Sequence, residues 1–254
     1  MSSVLFNSQA WSRLTKTDLN RLSVVQMKFL KRILHTATST SNSCTLLELG
    51  VPPIKDEING KKLKILHHIL NLEPSDPVYQ LYCEQKSLPY EQNWAQENST
   101  LLQHYRIEEH ETAIKTLSIR KWKNIVKDKV RQKVFEELCE DNALKSKTNS
   151  LLYEKFEIQP YLCRLLPNEA RLIFKARAKS INCKANRKSK YNNDLCRICS
   201  QAKEEQSHIV NCPGLFQNGD RVDINIVNNI SEVDDNDLKI IVSRLEIFYE
   251  TLTD

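Results

Sequence analysis

Between Asn192 and Pro213 the chain places Cys196, Cys199, His208 and Cys212 in the order C-x2-C-x8-H-x3-C. Two cysteines separated by two residues can grip one cation from a single tight turn, and a His and a Cys four apart can do so from one face of a helical turn. Together they supply the four nitrogen and sulfur donors of a closed tetrahedral zinc site, with no position left open for water or substrate. The expected role of zinc is therefore structural. The alternative is that three thiols and an imidazole fall together by chance among eight cysteines, which the second ligand pair at finger-like separation argues against. The other five, Cys44, Cys83, Cys139, Cys163 and Cys183, are scattered singly and read as small apolar fillers. A disulfide framework is not expected, because no secretory segment is evident ahead of them.

The 254 residues include only 4 Gly and 8 Pro, which disfavours a turn-rich β architecture and phosphate-cradling glycine loops. The expected fold is mainly α: amphipathic helices, a small C-terminal CCHC knuckle and a final helix. No apolar run approaches the roughly 18 residues of a membrane span, so the chain is expected to be intracellular, in nucleus or cytoplasm, with no membrane partner. The net charge of +5 is unevenly distributed. Lys175, Arg177, Lys179, Lys184, Arg187, Lys188 and Lys190 form a basic run without an acid, whereas residues 231–254 carry seven acids against Lys239 and Arg244.

In chain order, Thr15 with Asp18 reads as a capping box in its aspartate variant. Leu19, Leu22, Val25, Phe29, Leu30, Ile33 and Leu34 then recur at three and four, as one apolar stripe of a helix. Residues 36–43 read as a polar linker, and Gly50 as a helix end ahead of Pro52 and Pro53. A second amphipathic helix follows from Ile54 to Leu70. Its adjacent His67 and His68 diverge by about 100° and cannot chelate one ion. A short helix is expected around Val78 to Cys83, inside a broken region from Pro74 to Pro89. His110-Glu111 begins like H-E-x-x-H, but Ile114 occupies the second ligand position.

Ser118 caps a longer predicted helix with Trp122, Ile125, Val126, Val130, Val134 and Leu138 inward. Its other surface displays Lys121, Lys123, Lys127 and Arg131 among further basic residues, either as a solvated face or as a track for phosphates. From Glu169 to Lys179 a helix is predicted with Leu172, Ile173 and Phe174 inward and Arg171, Lys175, Arg177 and Lys179 outward. Val222, Ile224 and Ile226 alternate briefly, as a short strand or an apolar patch in a loop. Leu238 through Leu252 forms a last amphipathic helix with acids near its start. Asp234-Asp235 has no β-hairpin pattern around it and is assigned no catalysis.

The stretch Lys184 to Cys212, with Cys-Arg-Ile-Cys and Ser-His-Ile-Val-Asn-Cys, resembles the carboxy-terminal zinc knuckle of non-LTR (LINE-type) retrotransposon reverse transcriptases. Leu14 to Leu22, Val25 to Leu34 and Leu46 to Ile54 resemble the segment those polymerases carry after the palm, so the likeness covers most of residues 4–213. It implies a thumb-like helical region over 1–73, a helical linker over 74–150, a basic approach over 151–190, the knuckle over 191–214, and an acidic tail over 215–254. The family's catalytic Tyr-x-Asp-Asp does not occur here, so the likeness implies a fragment without polymerase activity or a small-molecule substrate. The expected function is binding of RNA, with DNA or an RNA/DNA hybrid as alternatives, and of low sequence specificity. Lys184, Arg187, Lys188 and Lys190 would meet phosphates, Tyr191 would offer a stacking ring, and Arg197 would be displayed by the turn between ligands. A zinc-stapled protein-interaction module and a decayed retroelement remnant are the competing readings.

Overall fold

The Thr15 hydroxyl accepts a hydrogen bond from Asp18 N, and the Asp18 carboxylate accepts one from Thr15 N, both at 3.2 Å. This reciprocal cap starts the first helix where the sequence puts it. In this computed structural model, which describes residues 5, 7–11, 14–88, 93–107, 110–145, 147–186, 191, 193–216 and 221–252, the helices run as follows. They are α1 Lys16–Ile33, α2 Asn42–Leu49, α3 Ile54–Leu70, α4 Pro77–Ser87, α5 Trp94–His104 and α6 Glu111–Thr116. After these come α7 Ile119–Ala143, α8 Tyr161–Arg164, α9 Pro167–Arg177, α10 Gln206–Ile209 and α11 Asp235–Thr251. Short 3-10 segments cover Ser8–Ala10 and Ile224–Glu232. The fold is mainly α, and among the described residues the β pairing is a lone antiparallel bridge between Leu195 and Lys203.

The chain divides into two units, each assembled from separate stretches. Unit 1 comprises residues 1–27 and 52–137, and unit 2 comprises residues 28–51 and 138–254. In unit 1, α3 is the central helix, packing against the first 3-10 segment and against α4, α5 and α6. Its start is held by a buried glutamine: Gln26 accepts from Ile54 N and donates to Pro52 O. Trp122 on α7 is fully buried and donates to Leu63 O at 2.8 Å. Tyr105 donates to the buried Asp56 carboxylate at 2.7 Å and accepts from Asn59. His67 is buried against Leu117 O, while His68 is exposed, so the two do not act together. Ser118 caps α7 as expected, accepting from Lys121 N.

Unit 2 surrounds a larger apolar cluster drawn from α2, α8, α9, α10, α11 and the second 3-10 segment. At its centre lies an ion pair that is entirely buried: Glu48 of α2 accepts from Arg177 Nε of α9 at 2.7 Å, with both side chains 0% exposed. The same carboxylate accepts from Tyr153 and Tyr161 at 2.7 and 2.8 Å, and Arg177 also donates to Val227 O. Gly50 ends α2 at φ 58°, where a Cβ would lie 2.5 Å from the backbone of Glu157. Both the left-handed backbone and the close approach require glycine there.

Several expectations are corrected. On α1 the buried positions are Gln26, Met27, Leu30 and Lys31, with Leu34 just beyond its end, while Val25, Phe29 and Ile33 are about half exposed. The apolar arc of this helix is wider than the face that packs, and periodicity alone does not choose between its edges. No strand forms at residues 222–226; Ile224, Val227 and Ile230 are buried at intervals of three, the period of a 3-10 turn. The helix beginning at Pro77 continues to Ser87, and α5 was not anticipated. Of the five scattered cysteines only Cys44 and Cys183 are buried fillers; Cys83 and Cys163 are exposed and Cys139 is intermediate.

Two measurements test these interactions. Glu48→Ala strands the Arg177 charge in the core and should cost about 3–5 kcal/mol in urea denaturation, with partial recovery in Glu48→Leu combined with Arg177→Met. Burial pushes the Glu111 carboxyl up, but Lys86 and the Tyr82 hydroxyl outweigh it and hold its pKa below 4.5. That stabilisation is present above about pH 4.5 and is lost as pH falls through the lower folded value. Glu111→Gln should therefore flatten the acid limb of the stability profile without moving its plateau slope.

Candidate metal centre

The two halves of the Cys/His cluster come from different local structures. Cys196 and Cys199 sit on a turn closed by the Leu195–Lys203 bridge, with Cys196 N donating to Ala202 O and Glu204 N to Asp194 O, both at 2.7 Å. Within the turn, Ile198 N points at Cys196 Sγ (3.4 Å) and Gln201 N at Cys199 Sγ (3.5 Å). Ser200 adopts φ 54° to bring the chain round. His208 lies on the short α10, and Cys212 follows it with its amide near Ile209 O. Gly214 passes so close to the turn that a Cβ would lie 3.0 Å from Ile198 Cγ2.

The four donor atoms lie within 4.8 Å of one another, with Cys196 Sγ 3.8 Å from Cys212 Sγ and Cys199 Sγ 3.3 Å from His208 Nε2. A tetrahedron with metal–sulfur bonds of about 2.3 Å has edges of about 3.8 Å, so these spacings fit one shared cation, and they are far too long for a disulfide. Burial pushes the Cys212 thiol up to about 12. Burial also acts to raise Cys199, but the Gln201 amide and the Cys212 and Cys196 thiols outweigh it and bring it below its ordinary value. A cation at the centre would neutralise the three thiolates, including that of Cys212, which burial otherwise disfavours.

Glu204, which the sequence reading did not single out, ties the cysteine turn to the segment that precedes it. Its carboxylate is 0% exposed and accepts from Arg197 N (2.8 Å), from the Arg197 guanidinium (2.6 Å at NH2) and from Lys184 N (3.0 Å). Arg197 also donates to Asn182 O. The sequence offers two adjacent acids between the ligand pairs, Glu204 and Glu205, with nothing to mark which is buried or what it pairs with. Further anchors reach the rest of unit 2: Gln206 donates to Ala176 O, Arg244 to Val210 O, and Ile209 and Val210 enter the core.

The predicted nucleic-acid residues are distributed as follows. Arg177 is not on the outer surface of α9 but in the core, where Glu48 neutralises it; an arginine near the end of a short helix could not be told from its outward neighbours without that partner. Arg197 is held by Glu204 and not displayed free by the turn. Lys184 reaches Asn193, and Lys184 and Arg197 both lie over the Tyr191 ring, at 5.7 and 5.5 Å. Arg171 contacts Asn168, Lys175 stacks on Tyr249, and Lys179 is half-buried. Arg187, Lys188 and Lys190 lie outside the described residues. In unit 1, Lys121, Lys123 and Lys127 are exposed on α7 and form no ion pair among the described residues, and Arg131 is half-buried. Comparison of the chain with family models, with curated protein sequences and with solved structures returns no match.

The cluster is expected to bind one metal ion. Titration with cobalt(II) should produce a thiolate-to-metal charge-transfer band in the intact chain and none in Cys196→Ser with Cys199→Ser. Folded protein that gives no such band would reject the centre.

Proposed function

We propose that the chain is a zinc-stapled helical module that binds single-stranded RNA, similar in organisation to the post-palm region of a LINE-type reverse transcriptase. The observation that carries this reading is the closed Cys3His tetrad, in the spacing of that family's knuckle and with donor separations suited to tetrahedral coordination. Three thiolates and an imidazole favour zinc over harder cations such as magnesium or calcium. A filled coordination sphere makes the ion a scaffold, so contact with RNA falls to side chains around it and to basic helix surfaces.

Lys121, Lys123 and Lys127 on α7 in unit 1, and Arg171, Lys175 and Lys184 in unit 2, are the phosphate contacts in this reading. DNA or an RNA/DNA hybrid would present the same backbone. Contacts of this kind give affinity without sequence information. No polymerase step is assigned to the chain, because its sequence lacks Tyr-x-Asp-Asp. No helix among the described residues is long and apolar enough to cross a membrane, and an RNA partner places the protein inside the cell, in nucleus or cytoplasm.

A second reading, a metal-stapled protein-interaction module, is favoured by two observations. Arg197 is committed to Glu204, and Val24, Val25, Phe29 and Ile33 of α1 expose apolar surface. Salt dependence separates the two. Fluorescence anisotropy of a labelled single-stranded RNA should show binding whose log affinity falls with log salt by about 0.7 per phosphate contact, and Lys121→Glu with Lys127→Glu should reduce that slope. Metal analysis should find about one zinc per chain. Absence of RNA binding by zinc-loaded protein at low salt would reject the RNA reading and leave the protein-interaction module and the decayed remnant.

A further inference from the structure

Unit 2 carries an open cleft of about 760 Å³ that none of the four metal-ligand candidates lines. Its walls come from the turn before α2, the segment after α7 and the segment after α9. Lys145, Lys147 and Lys179 line it, and among the described residues no carboxylate does. Between the lysines stand the hydroxyls of Ser39, Ser41 and Ser180 and the Asn186 amide, with Leu144 and Ile181 as apolar patches.

Three features of the surroundings point to an anion. Lys31 is 7% exposed beneath one wall, donating to Thr38 O at 2.7 Å, with no carboxylate in ion-pair range among the described residues. Burial and the nearby Lys145 charge both push its ammonium pKa down, as expected where two cations lie close together, and Lys145 is itself paired with Asp141 and bonded to Ser43 Oγ. Thr148 lines the cleft, is 1% exposed, and its Oγ1 has no hydrogen-bond partner. Lys179 occupies the left-handed position after α9 at φ 45°, where glycine is the unstrained residue. Three of the α9 carbonyls near this end, on Phe174, Lys175 and Ala176, are taken by the amides of Ala178, Ser180 and Lys179. On the facing wall Ser41 caps the positive end of α2.

We propose that this cleft binds the phosphoryl group of a nucleotide-sized ligand, with Lys145, Lys147 and Lys179 matching its charge and the Ser39 and Thr148 hydroxyls donating to its oxygens. A volume of several hundred Å³ with few convergent polar groups suits a small phosphorylated molecule. The inference does not rest on the RNA-binding reading, whose phosphate contacts include none of the three cleft lysines. A free nucleotide and one nucleotide unit of a bound strand present the same phosphoryl chemistry.

The test is calorimetric titration of the intact, metal-loaded chain with uridine 5′-monophosphate, uridine and inorganic phosphate, repeated on Lys147→Glu combined with Lys179→Gly. Glycine accepts φ 45° without penalty, so the variant should melt no lower than the parent and keep its metal. The monophosphate should bind about tenfold or more tightly than uridine, and the variant should lose about tenfold in affinity for it. Displacement of the monophosphate by a short RNA would identify the seat of a strand phosphate; RNA binding without displacement would identify a free-nucleotide pocket. No monophosphate binding, equal binding of uridine, or unchanged affinity in the folded variant would overturn the proposal. Loss of RNA binding alone would count only against the RNA reading.

Discussion

The Glu48–Arg177 pair is the constraint on which unit 2 depends. Two charges with no solvent exposure are tolerable only where their partners compensate them: the carboxylate takes Arg177 Nε, Tyr153 and Tyr161, and the guanidinium also takes Val227 O and lies over both tyrosine rings, with only its Nη2 left without a hydrogen bond. Those partners belong to α2, the segment after α7, α8, α9 and the second 3-10 segment, so one carboxylate registers elements as far apart as residues 48 and 227. Apolar contacts around it supply the bulk of the stabilisation, but they are interchangeable in a way a buried charge is not. The pair therefore selects one arrangement of α9 among those that would bury its apolar face comparably well.

That arrangement bears on the metal centre. α9 ends at Arg177, and the neighbouring Ala176 carbonyl accepts from Gln206, two residues before His208. Glu204 then ties the cysteine turn to Lys184 and Arg197, while Arg244 of α11 anchors Val210. The cluster is thus held to a preformed core from several directions. This differs from an isolated finger peptide, in which the metal alone brings the ligands together. It also changes what Arg197 can do: a guanidinium paired with a fully buried carboxylate is far better suited to fixing the turn than to reaching a ligand.

Charge in this protein works at two depths. Arg177 and Lys62 are in the core, each neutralised by a carboxylate, Glu48 and Glu97, whereas the lysines of α7 remain solvated and screened. Composition counts these cations alike, yet only the solvated ones are available to phosphates. The proposed phosphoryl cleft is an intermediate case: Lys145 and Lys179 are half-buried and Lys147 is exposed, and Lys145 is paired with Asp141.

The ligand spacing, the capping of α1 and α7, the glycine at position 50 and the helical class were legible in the sequence. Each depends on residues within one turn or one short motif of each other, where backbone geometry dictates the outcome. The interleaving of the two units, the burial of Arg177, the commitment of Arg197 to Glu204, and which edge of the α1 apolar arc packs were decided by tertiary structure. Those outcomes depend on partners as much as 129 residues away. A local pattern shows that a side chain is apolar or charged and on which face it lies. Whether that face meets a core, a counter-charge or water is decided only when distant segments compete to bury their own surfaces.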